Sequence, residues 1–128
     1  MNNSKYITVM AQGYYGYNVI TKIKNENIDK FILGIHEDNY PEYLMKDKKI
    51  DRSIIEVPDT DNLVIVYNKY KEEKNVKENM KRSAIIPELD ISLHSKCIAC
   101  RIDKNGNLES LQPEDVDTIL KYFPRRPM

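Results

Sequence analysis

The sequence predicts an α+β domain spanning residues 1–128, a largely antiparallel sheet of about five to six strands with a C-terminal helix packed on it. Three observations predict it. Short β-branched runs alternate in polarity and are bounded by Gly, Asn, Asp and Pro, as in "NVITKIK", "RSIIEVP" and "NLVIVYNKY". Pairs of these runs flank turn-rich joints and read as hairpins. A clear helical period appears at the end of the chain, where Val116, Ile119, Leu120 and Phe123 fall at i, i+3, i+4 and i+7.

Taken in order, "KYITVMA" (5–11) alternates as a first strand, and "QGYYGYN" interrupts it with two glycines. "NVITKIK" (18–24) sets Val19, Thr21 and Ile23 against Ile20, Lys22 and Lys24, completing a hairpin. "IDKFILGIH" (28–36) is more continuously apolar and reads as a third strand. "EDNYPEYLMKDKK" (37–49) reads as loop with at most a turn or two of helix opened by Pro41. "RSIIEVP" and "NLVIVYNKY" flank the turn residues "DTDN" and form a second hairpin. "KEEKNVKENMKR" (71–82) is nearly all charged, with only Val76 and Met80 to offer a core, and reads as a solvated helix or a loop. Pro87 splits a short extended piece from the strand that follows. "KNGN" (104–107) supplies a tight turn returning through "LES". Pro113 suits the first position of the last helix, with Glu114 and Asp115 in its first turn and Pro124 ending it.

With 128 residues the chain is long enough to bury one core, and 41% apolar with 31% charged residues is that of a folded domain rather than a disordered one. Basic and acidic residues number 20 each. Phosphate contacts dominate affinity for polyanions, so zero net charge argues against generic nucleic-acid binding. The opening "MNNSKYITVM" lacks a signal-peptide pattern and no apolar run reaches membrane-spanning length, so a cytoplasmic protein with reduced thiols is expected.

"LHSKCIACRID" (93–103) looks most like chemistry, because it gathers His94, Cys97 and Cys100 in a chain with two histidines and two cysteines. On a strand, residues three apart point to opposite faces. Ile98, Cys100 and Ile102 would share one face, and Cys97, Ala99 and Arg101 the other. Opposed thiolates cannot chelate one ion, and "IA" has no turn chemistry to bring them round. A zinc site using His36, His94, Cys97 and Cys100 has the right ligand count, but His36 lies far upstream without a paired ligand. A redox dithiol would need a following helix. The strand reading therefore expects no zinc or other cofactor, with Cys100, among Ile98 and Ile102, the less reactive thiol.

Tyr14, Tyr15 and Tyr17, on the glycine-bearing loop, could grip a partner protein or stack on a base. Neither GxGxxG nor a Lys-Ser/Thr pair accompanies the glycines, so the loop is no phosphate cradle. Asp59 and Asp61 are ordinary turn residues. His36 and His94 could serve as an acid–base pair, although neither begins a His-x-Thr/Ser motif.

Residues 86–123, "IPELDISLHSKCIACRIDKNGNLESLQPEDVDTILKYF", resemble the C-terminal part of small proteins of low-GC Gram-positive bacteria and their mobile elements. The resemblance implies a bacterial or phage setting and carries over no catalytic or ligand-binding residue. The expected function is that of a small binding or accessory protein, such as a mobile-element or phage inhibitor, acting on a protein partner. Its alternative is a binder of a nucleotide-like ligand, with the tyrosines stacking and Arg52, Arg82 or Arg101 meeting phosphate. A small histidine-dependent hydrolase is the third reading, and a homodimer stays open.

Overall fold

In the computed structural model, residues 5–12, 18–32 and 50–123 are described. Strand β1 (Tyr6–Gln12) and β2 (Asn18–Lys24) form the first hairpin, and a 3-10 turn over Asn25–Asn27 leads into helix α1 (Ile28–Ile32). Strands β3 (Arg52–Glu56) and β4 (Leu63–Asn68) form the second hairpin, followed by α2 (Lys69–Lys77). Short strands β5 (Ala84–Ile86) and β6 (Ile91–Leu93) flank the turn at Pro87, and β7 (Cys97–Ile102), β8 (Leu108–Glu109) and α3 (Asp115–Leu120) complete the order.

The main sheet runs β2-β1-β7-β4-β3, with β8 also pairing β7, and every pairing is antiparallel. β5 and β6 make a separate two-stranded sheet. The α+β expectation is met, including the C-terminal helix on the sheet. Central β7 pairs with β1 through Met10 opposite Ala99 and with β4 through Ile65 opposite Ala99. Strands buried on both faces need apolar side chains at successive positions, and "LVIV" in β4 and "CIAC" in β7 supply them.

On one face, Met10, Ile65, Cys97 and Ala99 pack with Ala84, Ile86 and Leu93 of the small sheet and with Ile119, Tyr122 and Phe123 around α3. The other face joins Ile7, Val9, Val64, Val66, Ile98 and Cys100 to Ile28 and Ile32 of α1. The molecule is thus layered, with α1 below the main sheet and α3 with the small sheet above it.

Two element readings need correction. Residues 28–32, read as the start of a strand, are helix α1. Ile28 and Ile32 lie at i and i+4, both buried on one side, while Asp29 faces Arg52. So short an apolar run fits either period, and the open sheet face selects the helical one. The last helix begins at Asp115, because Pro113 and Glu114 form a turn in which the Asp115 N–H donates to the Gln112 carbonyl. Phe123 consequently lies past the helix end, yet it is buried as expected.

Turn chemistry follows the sequence closely. Gly106 in "KNGN" has φ +86°, and Asp103 accepts from the N–H groups of Asn105 and Asn107. Those backbone donors hold the Asp103 carboxyl below its ordinary range. No helix among the described residues is long and apolar enough to cross a membrane.

Candidate functional site

The residues with chemical potential occupy three places. The first is the junction of α2 with the segment before β7. Asn68 caps α2, its side-chain oxygen accepting from the Tyr70 N–H at 3.2 Å and the Asp51 N–H at 3.1 Å. This cap directs Glu72 and Asn75 inward. Glu72 Oε1 accepts from the His94 N–H at 2.6 Å and from Ser95 Oγ at 3.0 Å, while its Oε2 lies 2.9 Å from His94 Nδ1. An ionised carboxylate only accepts, so that contact places a proton on Nδ1 and turns Nε2 away from Glu72. Asn75 Nδ2 donates to the His94 carbonyl at 2.8 Å, and Ser83 Oγ donates to the Ser95 carbonyl.

A carboxylate that orients an imidazole is half of a catalytic triad. The nucleophilic half is not assembled: Ser95 Oγ donates to Glu72, the wrong member of a triad. Cys97, nearby in sequence, is buried and its thiol is pushed up to about 12, first by desolvation, against a lowering bond from Ser83. Glu72 raises both Cys97 and Tyr67, although burial is the larger cause for each. The cluster therefore ties α2 to the sheet with polar bonds. Val76 and Met80, the residues offered for a core face, are exposed. His36 lies outside the described residues, so its pairing with His94 gains no geometry.

Cys97 and Cys100 occupy opposite faces of β7, each in its own core cluster, as the strand spacing requires. The expected difference in reactivity does not follow. Both sides of β7 are covered, and desolvation pushes Cys100 up to about 12 as well. The sequence reading rested on the apolar company of Cys100 among Ile98 and Ile102, and Cys97 has apolar company of its own. Ile65, Phe123 and the small sheet belong to the core cluster that encloses Cys97.

The second place holds the arginines. Arg101 Nε and Nη2 donate to the two Asp115 oxygens at 2.6 and 2.9 Å, a fork-to-fork pair. Arg101 holds the Asp115 carboxyl below its ordinary range. Arg52 Nε donates to Asp29 Oδ1 at 2.9 Å, closing β3 over α1. Neither guanidinium is presented as the phosphate receptor expected from the sequence, because each is committed to a carboxylate. Arg82 is exposed between α2 and β5. A cavity of about 300 Å³ beside Arg101 is lined by Ser110 and by Asp103 and Glu109 among others, and the two carboxylates disfavour an anionic ligand.

The third place is the outer edge of the sheet. β2 pairs only with β1, from Tyr6 opposite Lys24 to Gln12 opposite Asn18. Its far side has no strand partner among the described residues. Val19 is 52% exposed and Ile20 54%, on opposite faces of the strand. Tyr14, Tyr15 and Tyr17 lie outside the described residues, in the segment joining β1 to β2. The sequence reading took that segment as a candidate site and read the strand beside it only as structure. The signal available was weak: two adjacent apolar residues, Val19 and Ile20, in a strand whose remaining residues are polar apart from Ile23.

The chain matches no protein-family model, no curated protein and no solved structure.

Proposed function

We propose that this chain is a small binding protein that acts on another protein, docking it along the outer edge of β2 and the tyrosine-bearing segment before it. The single observation carrying this reading is the seven-residue β2, paired on one side only among the described residues and exposing Val19 and Ile20 on its two faces. An edge strand presents a row of unpaired backbone donors and acceptors, the template used in strand addition. The tyrosines add contact area at small entropic cost. A cytoplasmic accessory or inhibitor role in a bacterial or phage setting accords with the resemblance of residues 86–123.

The nucleotide-binding alternative is weaker, because Arg52 and Arg101 already serve Asp29 and Asp115. The test uses the whole chain as bait in bacterial lysate, alongside a Val19→Lys/Ile20→Lys variant. A stoichiometric protein held by the wild type and lost by the variant, with β2 amides protected from hydrogen exchange in the complex, is expected. Equal capture by both, or copurification of an ultraviolet-absorbing small molecule alone, would overturn the proposal.

A further inference from the structure

The charge carried by β2 narrows the kind of partner. Antiparallel pairing puts directly opposed residues on one face, so Val19, Thr21 and Ile23 share the face of Ala11, Val9 and Ile7. Ile20, Lys22 and Lys24 share the other face with Met10, Thr8 and Tyr6. Two lysines therefore stand on one face, about 7 Å apart along the strand. Lys24 is held in place, its ammonium 5.4 Å from the centre of the Tyr6 ring. Lys22 is exposed. β2 contains no carboxylate to neutralise them.

We infer that β2 accepts an extended acidic segment of a partner protein, with carboxylates at alternate positions facing Lys22 and Lys24 and apolar side chains on the face of Val19. This inference rests on the edge-docking reading and adds the chemistry of the partner. Lysine on an edge strand ordinarily discourages pairing. Here the lysines occupy only the second half of the strand, leaving "NVIT" uncharged. They act as a filter, repelling cationic strands, leaving neutral ones to bury unpaired ammonium groups, and favouring those that carry carboxylates. A second copy of the chain is a poor occupant for the same reason: a symmetric β2–β2 pair would gather four lysines and no acid at one seam.

The experiment selects random linear peptides displayed on phage against the immobilised 128-residue chain. Selected peptides should alternate Asp or Glu with β-branched or aromatic residues. Their affinity should fall about tenfold for Lys22→Glu/Lys24→Glu, two pairs turned from attraction to repulsion, in a variant whose thermal melt confirms folding. Peptides that lose binding on Val19→Lys/Ile20→Lys yet lack acidic residues would overturn the partner chemistry and leave edge docking standing. Peptides indifferent to both variants, or no selected peptide at all, would overturn both. Sedimentation showing a dimer dispersed by Ile20→Lys would assign the edge to a second copy instead.

Discussion

Replacing Glu72 by Ala tests whether α2 is a solvated appendage or a tethered part of the fold. The Glu72 side chain is 12% exposed and receives three contacts, from the His94 N–H, His94 Nδ1 and Ser95 Oγ. A hydrogen bond to a charged group is worth roughly 1.5–3 kcal/mol, but bonds sharing one acceptor do not add, and losing the partner strands donors in a half-buried place. The expected cost is about 3 kcal/mol. Glu72→Gln keeps one acceptor oxygen and turns an NH₂ toward the remaining donors, so about half that loss is expected. Urea unfolding followed by far-ultraviolet dichroism at pH 7 reads the difference. With a slope of about 2 kcal/mol per molar urea, the midpoint should drop by about 1.5 M for Ala. Val76→Ser on the exposed side of α2 should stay within about 0.5 kcal/mol of wild type. If Glu72→Ala also stayed within that margin, the cluster would be decoration and α2 would be held by something else.

The buried thiols set an alkaline limit. With both raised from 9.0 to about 12, their contribution is intact below pH 9 and is lost as pH climbs toward 12, at about 1.4 kcal/mol per pH unit per thiol. A Cys97→Ala/Cys100→Ala variant should flatten that decline in pH-dependent melts, and native thiol labelling at pH 8 should be slow and equal at both positions. The Asp115 carboxyl, held low by Arg101, contributes in full above the ordinary carboxylate range and loses its contribution as pH falls below that range and through the lowered value. Asp115→Asn should cost about 1–2 kcal/mol at pH 7 and progressively less as the pH is lowered, as acid titration of the melting temperature would reveal. Phe123→Ala, at a site 1% exposed in the upper core, should cost roughly 3–5 kcal/mol in denaturant unfolding. Tyr14→Ser/Tyr15→Ser should cost under about 1 kcal/mol yet abolish partner capture, and a low melt or unchanged capture would return the tyrosines to a packing role.

The strands were largely legible because polarity alternation is a local property. Val19, Thr21 and Ile23 against Ile20, Lys22 and Lys24 could be sorted by face before any fold was known, and the opposed thiols of β7 followed from their spacing alone. What escaped depends on contacts remote in sequence. Glu72 and Glu73 are indistinguishable within "KEEKN", and only the arrival of His94 and Ser95 makes the first a structural anchor. Arg101 resembles a free cation until the turn before α3 brings Asp115 against it. Ile28 and Ile32 become a helical face only because the lower side of the sheet needs covering. Buried Lys96, 3% exposed with its ammonium 5.5 Å from the Phe31 ring centre, gave no warning at all.

The two edges of the main sheet carry the functional argument, because they meet the same hazard differently. At β3, Arg52 reaches across to Asp29 of α1, Ser53 Oγ donates to the Asp51 carbonyl, and Glu56 adds the opposite charge. Charges of both signs, one of them tied down, make that edge a poor template for any single kind of strand. At β2 the charge is of one sign and confined to one half, while the other half is uncharged and apolar on both faces. An edge built only to prevent association would guard its apolar half first. The arrangement at β2, with lysines in one half and exposed apolar and backbone groups in the other, is the one that the proposed selective strand addition requires.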